Sequence, residues 1–345
     1  MSTVIEQPSA AAATTSPAGS FGRLVRTEVH RFRCRRFIQF LLALGVLGWL
    51  AAVVIGLVNF GNPTAGDYAQ ARQEIDRTVA EQAGYRQECL DQSDIPPGAS
   101  PEEFCGPEMQ ASDFRVEDFL HKAPFDLEKA GQSGAVGFGA GAAVLAFLIG
   151  ATWIGAEWSS RSLVALLFWE TRRFRVLGSK IAVLVGAAAL LGVLMQLGWL
   201  AMATILRATV GTDTPLPAGF WGELLGTQGR AVLLTVFAAL AGFGLANLVR
   251  NTGAALGVGF VYFAIVESAV GAFRPTWAPW LLTSNAAALI SPGGLRIPIF
   301  DGHFDANGNP REVLLTNLHA GMYLAAVLAV VVGIGVVLFA RRDVQ

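Results

Sequence analysis

Six stretches of this chain are too long and too apolar for the core of a water-soluble domain, and they decide most of what it can fold into. They run from Phe37 to Phe60, Gly134 to Ala156, Ile181 to Leu206, Ala231 to Val249, Gly253 to Phe273 and His319 to Ala340. A helix needs about 20 predominantly apolar residues to cross the hydrocarbon core, and each stretch is close to or above that length. Backbone groups in lipid must be satisfied within the segment, so each reads as a helix. The composition agrees: 53% of the 345 residues are hydrophobic and 15% charged, against roughly a quarter charged in an average soluble domain. The expected fold class is an all-α polytopic membrane protein with six transmembrane helices.

Charge placement predicts the orientation, because Lys and Arg are retained on the cytoplasmic side. With the N-terminus inside, the inner segments carry 14 basic and five acidic residues, a balance of +9; the outer ones carry 11 basic and 20 acidic, a balance of −9. Glu267, within a span, completes the net charge of −1. The reading is a multi-pass plasma-membrane protein with both termini cytoplasmic. The first span exceeds the about 7–15 residues of a signal h-region and reads as a retained anchor. With a net charge of −1, no basic field calls for nucleic acid.

Residues 1–20 are small, polar and of low complexity, the composition of a disordered tail. Over 21–36, Phe21, Leu24, Val25, Val29 and Phe32 recur at near-helical spacing among arginines. That pattern fits an amphipathic helix lying in the membrane interface, its arginines on lipid phosphates; the plain alternative is a positive-inside flank. Residues 37–345 then form the six-helix transmembrane domain.

Two external regions interrupt it. Segment 61–133 holds six basic and 15 acidic residues. Asp67 to Leu90 has the periodicity of a helix, with Tyr68, Ala71, Ile75, Val79 and Ala83 on one face. Pro96-Pro97-Gly98 breaks the chain, and Phe114 to Leu120 reads as a second short helix. Cys89 and Cys105 both lie here, on a disulfide-permissive side; a disulfide or two free thiols are the alternatives, whereas Cys34 is expected free among arginines. In the second region, 274–318, Trp277 and Trp280 precede LLTSNAAALI, which suggests a re-entrant or interfacial element. Ile297 to Phe300 and Val313 to Leu314 flank an Asn307-Gly308 turn signal, the pattern of a hairpin.

Catalytic constellations are missing from the sequence. It has no G-x-x-x-x-G-K-[ST], H-E-x-x-H or C-x-x-C motif, so the chain is read as no enzyme and as binding no cofactor itself. Asp301, His303, Asp305, Asn307 and Asn309 place donors at alternate positions, but no bidentate Glu closes a calcium loop, and a polar turn is the better reading. Glu267 is the sole carboxylate deep in a span. Such groups are costly in lipid, so it either faces a substrate path or pairs in helix packing with a donor such as Ser268, Tyr262 or Arg274. Gly137/Gly141 and Gly253/Gly257 form G-x-x-x-G pairs, read first as helix packing.

The most informative segment is GAEWSSRSLVALLFWETRRFRVLGSK, Gly155 to Lys180, between spans two and three. It mixes Trp158, Leu163, Leu166, Leu167, Trp169 and Phe174 with a basic cluster, as a short amphipathic helix on the cytoplasmic face would. Here the chain resembles the ABC-2 family of ABC exporter permeases. Gly155, Glu157, Ser162 and Leu163 match that family's G-x-E-x-x-x-x-[ST]-L-like run; Arg172, Arg173, Arg175 and Lys180 match the basic stretch that follows. The ending FARRDV, from Phe339 to Val344, is similar too. Arg161 stands where the family often has Gly, Glu170 near where Pro is common, and segment 61–133 is unusually large.

That resemblance implies an ABC-2 exporter-like (type V) transmembrane domain. It implies a permease subunit of an ATP-driven transporter, with an apolar or amphipathic cargo. Its partners would be two copies of a separate ATP-binding subunit, which bind ATP and Mg, a second permease subunit (homodimer or heterodimer) and membrane lipids. Glu157, Trp158, Arg161, Arg172 and Arg173 would make the ATPase-coupling contact. A different role for such a subunit is sensing or immunity, with segment 61–133 capturing a peptide or a lipid-targeting antibiotic.

Overall fold

The computed structural model describes residues 17–91, 100, 104–160, 162, 172–304 and 309–341. The tail before 17, the Pro96-Pro97-Gly98 break, Arg161, residues 163–171 of the segment expected to hold a short amphipathic helix, Asp305, Asn307 and the ending from 342 lie outside the described residues. Of the described residues 81% are helical, and among them six helices are long and apolar enough to cross a membrane. It is an all-α multi-pass membrane protein with one small hairpin.

The helices are α1 (Pro17–Arg33), α2 (Arg36–Asn59), α3 (Ala65–Asp91), α4 (Leu127–Ser159), α5 (Arg173–Val210), α6 (Phe220–Val249) and α7 (Thr252–Val261). A π-helical turn, Tyr262–Val266, leads into α8 (Glu267–Phe273). A 3-10 segment, Pro275–Trp280, α9 (Leu282–Ile290), the antiparallel strands β1 (Leu295–Phe304) and β2 (Pro310–Leu315), and α10 (Asn317–Arg341) complete the order. The spans are α2, α4, α5, α6, the α7–α8 pair and α10. Several overrun their apolar stretch: α4 starts at Leu127 rather than Gly134, and α5 already at Arg173. Helix propagation carries on past the lipid boundary wherever no breaker intervenes.

Two compact units divide the chain: Met1–Val46, Ala135–Leu197 and Trp221–Gln345 form one, Leu47–Gly134 and Gly198–Phe220 the other. In the first unit α1 opens at Pro17, not Phe21, because proline suits the first helical position; residues 17–20 are therefore helix, not tail. Its core gathers Ile38, Leu41, Ile149, Trp153, Ile154, Leu177, Leu184, Phe243 and Phe339. A second cluster joins Ala231 and Leu234 of α6 to α9, the hairpin and α10 through Leu289, Ile297, Ile299, Leu315 and Leu324.

Glycines set the closest approach, though not those of the sequence motif. A Cβ on Gly150 of α4 would collide with the carbonyl of Ala239 on α6, and one on Gly242 of α6 with the carbonyl of Phe147. At Gly139 it would stand 2.6 Å from the Ala231 Cβ. By contrast a Cβ on Gly137 or Gly257 meets nothing within 4 Å, and the nearest atoms at Gly141 and Gly253 lie at 3.9 and 3.5 Å. The G-x-x-x-G pairs do not pack helices within this chain. In lipid, dispersion contacts replace the hydrophobic drive, and the residues that permit them here include Gly139, Gly150 and Gly242.

In the second unit, α3 starts with a reciprocal cap: Thr64 N–H and Oγ1–H donate to Asp67 Oδ2 at 2.7 and 2.8 Å. These bonds hold the Asp67 carboxyl below its ordinary range. Cys89 and Cys105 are joined in a disulfide, and Arg86 Nε–H donates to the Gly106 carbonyl at 3.1 Å beside it. The helix expected over Phe114 to Leu120 is instead two short 3-10 turns, Ala111–Asp113 and Val116–Phe119, with Phe114 and Phe119 edge to face. Farther along, Phe125 exchanges backbone hydrogen bonds with Val210 and Thr212, and Trp199 Nε1–H donates to the Gly131 carbonyl at 3.1 Å.

Candidate functional site

The buried charges of the first unit converge on one place. Along α1, Leu24, Val25, Glu28 and Phe32 share a stripe, and Glu28 is 2% exposed while Val29 is turned outward. The apolar periodicity expected for α1 ran through Val29; the buried line runs one residue earlier, through a carboxylate. Lys180, 0% exposed, donates from Nζ to Glu28 Oε2 at 2.7 Å. The same ammonium lies 2.7 Å from Glu157 Oε2, an ion pair outside hydrogen-bonding geometry. Arg35, in the break between α1 and α2, donates to Glu157 Oε1 at 3.0 Å and to the Thr152 and Trp153 carbonyls at 3.1 and 2.8 Å. Arg31 approaches Glu28 from the exposed side at 3.4 Å.

Glu28, Lys180, Glu157 and Arg35 therefore alternate in sign and sum to zero. Neutrality matters, since each isolated ion would cost several kcal/mol to bury. Burial lowers the Arg35 pKa, and the carboxylates of Glu157 and Glu28 oppose that shift. Trp153 forms the floor: its ring lies 4.7 Å from the Arg35 guanidinium carbon and 4.9 Å from Lys180 Nζ, with Phe32 edge-on at 5.1 Å. Cations over an indole face gain from its quadrupole most when desolvated. Gly155 completes the local fit, because a Cβ there would press on Thr252 at the start of α7.

Among the residues expected to contact an ATPase, Glu157 is thus an internal organiser, 3% exposed, rather than a surface contact. Trp158 donates from Nε1 to Asn247 Oδ1 at 3.1 Å and stands edge-on to Phe339 at 5.9 Å. Over its ring, at 4.6 Å, sits Arg250, whose φ of 58° turns the chain from α6 into α7. Arg173 donates to the Phe339 and Ala340 carbonyls at the end of α10, at 3.3 and 3.2 Å. Arg172 is exposed at the start of α5, and Arg161 lies outside the described residues. Sequence reasoning missed Glu28, Arg35, Trp153 and Lys180 as one group. The available signal was the acid in the stripe of α1.

Of the donors expected for Glu267, Tyr262 does face it, and the carboxylate has further partners that were not expected. Its carboxylate, 4% exposed, accepts from the backbone N–H of Leu282 at 2.8 Å and of Thr283 at 3.2 Å, and from the Thr283 hydroxyl. It caps the N-terminus of α9, where unsatisfied amides and the helix dipole favour an anion. The π turn just before it widens the helix by one residue and sets the direction in which Glu267 points. At the other end of α9, Asn317 Nδ2–H donates to the carbonyls of Ala288, Leu289 and Ser291 at 2.7, 3.1 and 2.8 Å.

Compared with protein-family models and with curated proteins, the chain matches none.

Proposed function

We propose that this chain is the membrane subunit of an ATP-driven exporter of the ABC-2 kind, seated in the plasma membrane with both termini cytoplasmic. ATP and Mg belong to two copies of a separate ATP-binding subunit, and a second permease subunit closes the pathway. The carrying observation is the neutral ion cluster. Glu157 and Lys180 stand on the two stems of the segment between α4 and α5, and Glu28 and Arg35 fasten both stems to α1. A segment mounted this way moves with its stems, which is what transmission from a docked ATPase to the spans requires. Six spans and the +9/−9 charge split also support the reading.

The roles expected of individual residues change accordingly. Glu157 holds the mount, and contact with the ATPase falls to the segment itself and to Arg172. Glu267 holds α9 in place beside the pathway. An apolar or amphipathic cargo fits spans with few polar groups.

The test is co-expression with an ATP-binding subunit encoded beside this gene, followed by reconstitution. Copurification and cargo-stimulated ATP hydrolysis are the expected results. Lys180→Met together with Glu28→Gln, which removes a charge of each sign, should leave the complex assembled while hydrolysis loses its dependence on cargo. Failure of any ATPase to copurify would overturn the reading. The stapled helix α3 favours one second reading, capture of a peptide or antibiotic by segment 61–133; binding of such a ligand without its transport would select it.

A further inference from the structure

Just past the end of α2, Asn62 and Asp67 line a depression of about 190 Å³ together with His121 and Lys122, all within the second unit. Its two walls are tied together. Gly61 N–H donates to the Ala123 carbonyl at 3.2 Å, and a Cβ on Gly61 would stand 3.0 Å from the Lys122 Cβ. Asn62 Nδ2–H donates to the Thr209 carbonyl at 2.9 Å, which fixes this wall to the end of α5. The lining carries both signs. Asp67 receives both Thr64 bonds on Oδ2, and no described residue donates to its Oδ1. Among the described residues neither Lys122 nor His121 forms an ion pair, so carboxylate and bases share the depression without neutralising one another.

Depth identifies what the depression meets. Gly56 of α2 and Leu206 of α5 lie side by side, a Gly56 Cβ being 3.0 Å from a Leu206 methyl, and Leu206 ends an apolar stretch. Thr209 stands about 4.5 Å farther along the helix axis, inside the polar layer that adds about 5–7 Å to each face of the hydrocarbon core. Ile55 and Val58, both exposed, lead from the hydrocarbon up to Gly61. Drug-sized ligands need pockets of about 300 Å³ or more, so this smaller one suits a headgroup whose chains stay outside. A carboxylate beside a lysine disfavours a purely anionic headgroup and calls for an ammonium and a phosphate on one short bridge. We propose that the depression binds the headgroup of an aminophospholipid of the phosphatidylethanolamine type. Its ammonium sits on Asp67, its phosphodiester on Lys122 and His121, and an acyl chain runs along Ile55 and Val58. A trimethylammonium headgroup fits less well, because it has no N–H to donate to the carboxylate.

The purified chain, without an ATPase, is placed in phosphatidylcholine nanodiscs doped with equal amounts of phosphatidylethanolamine and phosphatidylglycerol, and retained lipid is counted by native mass spectrometry. Phosphatidylethanolamine should be retained in preference to both others. Asp67→Asn keeps an oxygen to cap α3, and Lys122→Gln removes no bond of the fold, so neither loss can be read as a folding defect. Each should cut the preference about threefold to fivefold, the scale of an exposed ion pair. Glu81→Gln, farther along α3, should leave it in place. Retention of phosphatidylcholine or phosphatidylglycerol equal to that of phosphatidylethanolamine in the unaltered chain would overturn the proposal. So would a preference untouched by both variants. Glycerophosphoethanolamine, the same headgroup without acyl chains, should compete weakly; full displacement by it at matched concentration would mark a soluble zwitterion as the ligand and overturn the lipid assignment. Because retention is read without the ATPase, it leaves the exporter reading to its own test.

Discussion

Glu267 and Asn317 grip opposite ends of the same nine-residue helix, one through its amides and the other through its carbonyls. Glu267 comes from the fifth span and Asn317 from the first residue of the sixth. An isolated helix as short as α9 is unstable in water; here the orphan groups at both ends have fixed partners. Asn285 adds an internal tie, donating to the Pro279 and Leu281 carbonyls at 2.9 and 2.8 Å.

Removing one grip should free the helix. Glu267→Ala leaves two partly buried amides at the start of α9 without an acceptor and should destabilise the first unit by about 1–3 kcal/mol. Glu267→Gln keeps one acceptor oxygen and should cost less. Hydrogen exchange at Leu282 and Thr283 reports the change, and unaltered protection in Glu267→Ala would remove the capping role.

The ion cluster should respond unevenly to single and paired changes. Lys180→Met strands Glu28 and Glu157 and should cost about 3–5 kcal/mol, whereas adding Glu28→Gln should recover part of the loss. Thermal unfolding in detergent measures both. Equal melting temperatures for the single and double variants would mean the two charges do not interact.

Glycine substitutions should sort by contact, not by motif. Gly150→Ala and Gly242→Ala drive a methyl into a facing carbonyl and should each destabilise by about 1–3 kcal/mol. Gly137→Ala and Gly257→Ala, with open space at the Cβ, should be neutral or mildly stabilising in the isolated chain. A loss of stability at Gly257 alone on assembly would place that position against another subunit.

Breaking the staple should loosen the second unit only. Cys105 lies 16 positions after Cys89, and a loop of that size is worth about 3 kcal/mol in the chain-entropy model. Cys89→Ser should expose the end of α3 to protease while the melting of the first unit stays put.

Acid should weaken the start of α3. The folded Asp67 carboxyl titrates below its unfolded counterpart because it accepts from Thr64. Its stabilising contribution is therefore full above the unfolded value and disappears as pH falls through the lowered one. Exchange at the first amides of α3 should rise below about pH 4, and Asp67→Asn should flatten that dependence.

Length and hydropathy disclosed the six spans because lipid imposes a requirement that each segment meets alone. The hairpin and the helix after Trp280 were legible for the same reason, through turn residues and a short apolar run. The ion cluster was not. Glu28, Arg35, Glu157 and Lys180 are spread over 153 positions of sequence, and a side chain's partner across that distance follows from packing rather than from local pattern. Glu267 stood out as costly, yet two of its donors are backbone amides, which carry no residue signature. The packing glycines were hidden by the opposite effect: many glycines are present, and the G-x-x-x-G spacing singled out ones without close interhelical contacts.

The π turn at Tyr262–Val266 makes the fifth span sensitive to counting. One residue advances a regular helix by about 100°, so deleting a single position there would swing Glu267 off the end of α9 and toward hydrocarbon. A lineage could shed that residue only by moving its acid as well. Relatives should therefore divide into two groups, those with the extra residue and an acid at this position, and those with neither.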